Sequence, residues 1–157
     1  MKKLYSLLIL SISFLFSNAQ MGTWLQKADL PLGVNVWKTE AASFQINGKG
    51  YLATGNNGLS QTIDTWEYEP STDTWTQKAN FTGTARKGAS GFALNGKGYM
   101  VGGTNTSTYY NECWEYDPIA NSWLQKASFT GIGRYRAVGF TIDSLGYYGT
   151  GADLNVN

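Results

Sequence analysis

Apolar and polar positions alternate along most of the chain in short runs, broken at close intervals by Gly, Asn, Asp and Pro. Over residues 89–94 the small residues Ala89, Gly91 and Ala93 alternate with Ser90, Phe92 and Leu94, the period of two that predicts a β-strand. Asn95-Gly96 follows as a hairpin turn signal, because both residues tolerate positive φ. Tyr99 to Val101 is the expected second strand, ending at Gly102-Gly103. Glu112 to Tyr116 is the third, with Cys113, Glu115 and Asp117 on one face and Trp114 and Tyr116 turned away from it. Pro118 to Asn121 makes the next turn, and Ser122 to Ala127 is the fourth strand. No sustained helical period runs through residues 20–157.

This four-strand pattern repeats. Asn47-Gly48-Lys49-Gly50-Tyr51 returns as Asn95-Gly96-Lys97-Gly98-Tyr99, and more weakly as Asp143-Ser144-Leu145-Gly146-Tyr147, each time 48 residues on. Trp66-Glu67-Tyr68-Glu69-Pro70 returns as Trp114-Glu115-Tyr116-Asp117-Pro118 at the same offset. Trp75 and Trp123 keep it too, each reaching Gln-Lys-Ala. Trp24-Leu25-Gln26-Lys27-Ala28 is a first copy, displaced by three extra residues. Three landmarks with one period make the repeat the primary signal. A lone twisted sheet exposes two apolar faces, so each unit needs neighbours to cover it. Phe44, Phe92 and Phe140, with Trp66 and Trp114, are the expected packing set between units.

The first residues read differently. Lys2 and Lys3 precede an apolar run from Leu4 to Phe16, and Ser17-Asn18-Ala19 offers small residues for cleavage. This predicts a signal peptide over residues 1–19, a mature segment 20–157 with no membrane span, and a destination that is secreted, periplasmic or at the cell surface. Cys113 is the only cysteine, so no intrachain disulfide can form. Six Trp, ten Tyr and seven Phe supply the core instead, and 19 Gly with three Pro fit many tight turns. A net charge of +1 speaks against a nucleic-acid partner, which calls for a basic stripe.

With Tyr99-Met100-Val101-Gly102-Gly103, then Tyr116-Asp117-Pro118, then Trp123, the repeat resembles the kelch family. The resemblance covers Gly22 to Asn157. The first unit departs from it at Thr54-Gly55, where one glycine of the pair is missing, and the third at Gly149-Thr150-Gly151. It implies an all-β fold of kelch-type β-propeller blades, each a four-stranded antiparallel sheet. About 2.7 repeats of 48 residues make an incomplete propeller, since closed ones have roughly four to eight blades. The expectation is therefore a chain that continues beyond 157, with closure by self-association as the alternative.

The sequence contains no histidine, which removes Ser-His-Asp and Cys-His arrangements and imidazole metal sites. Cys113 reads as a small apolar filler. Glu69 and Asp117 are repeat equivalents beside proline and read as turn formers rather than catalytic acids. No cofactor is implied. The candidate binding residues lie in the loops before each innermost strand: Arg86 and Arg134, Lys38 at the matching place, and Lys87 and Arg136 nearby. In kelch-like propellers that bind acidic peptides such arginines surround a channel mouth, so the resemblance implies a basic ring for carboxylate or sulfate. The alternative is that each guanidinium pairs with a carboxylate of a neighbouring blade. Asn56, Asn57, Tyr109 and Tyr110 belong to the other loops of that face, with a composition suited to hydrogen bonding and stacking on sugars. Two functions follow as expectations: a non-catalytic exported module binding a protein or glycan, or part of a sugar-modifying enzyme of the oxidase or sialic-acid epimerase kind whose catalytic residues lie elsewhere. A purely structural spacer is the third.

Overall fold

The computed structural model describes residues 24–33 and 36–153. The expected signal peptide and its cleavage site lie outside the described residues. Ten five-residue strands are present: β1 (Ala42–Ile46), β2 (Lys49–Ala53), β3 (Thr65–Glu69), β4 (Thr74–Lys78), β5 (Ser90–Leu94), β6 (Lys97–Val101), β7 (Cys113–Asp117), β8 (Ser122–Lys126), β9 (Val138–Ile142) and β10 (Leu145–Gly149). They form two four-stranded antiparallel sheets, β1-β2-β3-β4 and β5-β6-β7-β8, and a hairpin of β9 and β10. None of the described residues is helical.

The second sheet matches the expected strands to within two residues at each end. Its β6 starts sooner than expected because Lys97 pairs with Leu94 directly across the turn. Asn95 and Gly96 there take φ of 51° and 73°, the left-handed pair that matches the twist of a tight hairpin. At the outer turn Asp117 Oδ1 accepts from the amides of Ile119 and Ala120 at 2.8 and 3.1 Å. Glu69 Oε1 accepts from the Ser71 amide and hydroxyl at 3.0 and 2.6 Å. Both acids hold turns, as their place beside proline predicts.

The repeat is carried into the side chains. Phe44, Phe92 and Phe140 stand opposite Tyr51, Tyr99 and Tyr147, and the paired rings stack at 5.5, 5.4 and 5.3 Å. The first two phenylalanines then pack forward onto a glycine of the next sheet, Phe44 onto Gly98 and Phe92 onto Gly146. Phe44, Tyr51, Met100, Tyr116 and Trp123 form the centre of the core between the two complete sheets. Phe44, Trp66 and Trp114 are buried, as expected of packing residues. Phe140 corrects that expectation: it is 49% exposed, with Val138, Ile142 and Leu145 exposed beside it. No further sheet covers β9 and β10 among the described residues.

Backbone bonds tie one unit to the next near the inner strands. The Gly55 amide donates to the Arg86 carbonyl at 2.9 Å, and the Gly103 amide to the Arg134 carbonyl at 2.8 Å. The preceding residue has positive φ in all three units: 58° at Thr54, 75° at Gly102 and 65° at Thr150. The first and third units thus keep the bend of the glycine pair with a β-branched residue, at a cost in strain.

Candidate functional site

The loops before β1, β5 and β9 place one basic residue per unit, and the three have different surroundings. Arg86 is 1% exposed. Its Nη2 donates to Glu112 Oε2 at 2.6 Å, Nη1 to the Gly102 carbonyl at 3.2 Å and Nε to the Thr84 carbonyl at 3.0 Å. The guanidinium lies 3.8 Å from the Tyr110 ring centroid and 5.0 Å from that of Phe81, a stacking that planar guanidinium favours. Burial lowers its pKa and the Glu112 carboxylate opposes that. Burial would raise Glu112, but bonds from Trp114 and Arg86 prevail and hold its carboxyl low.

Arg86 is therefore a clamp inside the wall, and its carboxylate partner Glu112 comes from the loop before β7 of its own unit rather than from a neighbouring one. In the first unit Lys38 takes the same role, donating to Asp64 Oδ1 at 2.6 Å and Thr62 Oγ1 at 3.0 Å. Arg134 donates to the carbonyls of Thr150 and Ile132 at 3.1 and 3.3 Å and lies 5.8 Å from the Phe129 ring. The structure does not bring Lys38, Arg86 and Arg134 together as one open ring of charges.

Two other expected residues do meet. Arg136 Nη2 lies 3.0 Å and Lys87 Nζ 3.5 Å from Glu40 Oε1. The cluster joins three units, because positions 40, 88 and 136 are repeat equivalents with φ of 53°, 65° and 53°. The Gly88 amide donates to the Glu40 carbonyl at 2.8 Å, and the Arg136 amide to the Gly88 carbonyl at 2.7 Å. Glu40 Oε2 is buried with no hydrogen-bond partner among the described residues. The bond from Arg136, against some burial and helped by Lys87, lowers the Glu40 pKa. Arg136 is 61% exposed in its side chain and lies over the Tyr135 ring at 5.2 Å. Tyr109 meets Tyr135 edge-on at 5.3 Å, which extends the cluster with aromatic surface.

Asn56 and Asn57 hold their own loop. Asn56 Oδ1 accepts from the Gly58 amide at 2.6 Å, and Asn57 Oδ1 from the amides of Leu59 and Ser60 at 3.0 and 2.9 Å. Asn57 and Lys38 also border a cavity of about 520 Å³ beside the first sheet. Tyr110 is committed beneath Arg86. Glu40 escapes a reading of the sequence because its repeat position holds Glu, Gly and Arg in turn, and so carries no pattern. Among the described residues no three His, Cys, Asp or Glu side chains gather as metal ligands.

Residues 85–130 match the family described as the kelch motif. Residues 85–130 are a kelch repeat. The fold agrees, since 148 chains of known structure match this one. Among them the protein in "Structure of YjhT", a kelch-type propeller, superposes with a TM-score of 0.67 at 19% identity. That match covers 78% of this chain and 46% of the other, so the chain described here spans less than half the length of that structure. No curated protein matches the sequence. Among the described residues the repeat makes two complete four-stranded sheets and a two-stranded hairpin.

Proposed function

We propose that this chain is a non-catalytic binding module, acting after export, that recognises an acidic group of a protein or glycan ligand at one mouth of the kelch stack. The observation that carries the reading is the meeting of Glu40, Lys87 and Arg136 from three successive loops. Two cations against one carboxylate leave one positive charge in excess. An exposed guanidinium with spare donors suits bidentate recognition of a carboxylate or sulfate. Tyr109 and Tyr135, packed edge-on, supply aromatic surface beside it, and the Thr104 to Asn111 loop supplies hydroxyl and amide groups. Arg86 supports this mouth from within by holding Tyr110 and Glu112.

The experiment is an array of acidic and neutral glycans and acidic peptides, probed with the full chain and with Lys87→Ala/Arg136→Ala. Retention of acidic ligands by the native chain and their loss in the double variant supports the reading. Equal retention by both proteins, or retention of neutral ligands alone, refutes it.

A further inference from the structure

The 520 Å³ cavity beside the first blade lies in a unit that lacks two rings the second unit has. In the second unit Phe81 packs edge-on against Trp114 and Trp123 at 4.8 and 5.4 Å. Tyr110 lies on the Arg86 guanidinium. Counting from the Trp24 and Trp75 copies, the residue that answers Phe81 is Leu30, with Leu32 two positions on. The residue that answers Tyr110 is Thr62, 48 positions earlier, and Lys38 stands for Arg86. The third unit keeps its ring as Phe129, so the opening belongs to the first unit.

The lining has two sides. Leu32, Val36, Ile63 and Ala85 make an apolar wall. The side-chain amides of Gln61, Gln77 and Asn80 also line it, each carrying donors and an acceptor, with Gln77 Nε2 donating to Asn80 Oδ1 at 3.4 Å. The Lys38 ammonium and Asp64 carboxylate, joined at 2.6 Å, belong to the same lining, with side chains only 5% and 18% exposed. Their charges are spent on each other, so the lining as a whole is neutral. The volume is that of an ordinary small-molecule site. An aromatic occupant would cover the wall but leave Gln61 and the unshared groups of Gln77 and Asn80 unpaired, which is costly. A neutral pyranose offers a C–H face to the wall and hydroxyls to the amides.

We propose that this cavity is a binding site for a neutral hexose, separate from the acidic-ligand mouth and built on different residues. The test titrates the full chain, by ligand-observed NMR and calorimetry, with glucose, galactose, mannose and N-acetylglucosamine, and with N-acetyltyrosinamide as an aromatic probe. At least one sugar is expected to saturate. Thr62→Tyr restores the missing ring and is expected to weaken that sugar by about tenfold or more, while Lys87→Ala/Arg136→Ala leaves it unchanged. Should Thr62→Tyr fail to fold, Gln61→Ala/Asn80→Ala removes two amides from the lining and carries the same expectation. The proposal is overturned if no sugar saturates. It is equally overturned if a folded Thr62→Tyr binds sugar as well as the native chain, or if only the tyrosine derivative binds.

Discussion

Phe44 of the first blade sits so close over Gly98 of the second that a Cβ there would fall 2.2 Å from its ring. The same contact joins Phe92 to Gly146, where the distance would be 2.5 Å. Gly50, the equivalent of Gly98 in the first blade, would meet only Tyr68 Cβ at 3.7 Å. Ring into glycine is thus the unit of blade docking.

Gly98→Ala is expected to destabilise the chain by about 1–3 kcal/mol through overpacking. Gly50→Ala, at the same repeat position, should change stability by less than about 0.5 kcal/mol. Chemical denaturation of both variants checks the contrast, and equal effects would remove the docking argument.

Arg86 is held by one carboxylate, two carbonyls and two rings, so its loss is structural before it is functional. Arg86→Ala leaves Glu112 without its cation and should cost about 3 kcal/mol or more. Arg86→Lys should recover only part of that, since an ammonium lacks the planar fork. Thermal midpoints read the series. A loss below about 0.5 kcal/mol would put Arg86 back among the free surface charges.

The fold was largely legible because each landmark occurs at least twice. Asn95-Gly96 declares its turn by residue type, and Trp114 and Tyr116 declare a buried face by alternation. Phe140 stays 49% exposed because its burial depends on a glycine of another sheet, which no described residue supplies. Arg86 and Arg134 recur at the repeat spacing both as clamps and as a charged ring would. The choice rests on Glu112, 26 residues from Arg86, and on depth in the wall. Glu40 stayed hidden because its position varies between units, whereas Lys87 and Arg136 were visible as local charge.

Acid should weaken the fold. Hydrogen bonds and neighbouring cations hold Asp64, Glu67 and Glu112 below ordinary carboxylate values despite burial that pushes the other way. Depressed folded values mean that this stability is present above the unfolded range of about 4 and is lost as pH falls through the folded values. The thermal midpoint should drop from about pH 4 downward, and less steeply in Glu112→Gln. An identical acid limb in the variant would contradict the assignment.

Alkali should weaken it by the opposite sign. Burial pushes Tyr99 and Tyr116 up to about 12, with Glu115 adding to the first and Glu67 to the second. A raised folded value gives stability that is intact below the unfolded value of about 10 and is lost as pH climbs toward the folded one. Phenolate absorbance should rise in two stages, the later one together with loss of sheet signal. A single stage near the ordinary tyrosine value, with the sheets intact, would refute the burial argument.

The mouth formed by Glu40, Lys87 and Arg136 is tested most directly by calorimetric titration of the full chain with an oligoglutamate peptide. The comparison is Lys87→Ala/Arg136→Ala, two exposed or half-buried residues, with a thermal melt of the double variant checking that it is folded. The account predicts saturable binding that weakens by about tenfold or more in the double variant and fades as salt is raised. Binding of equal strength in both proteins, or none in the native chain, would contradict it.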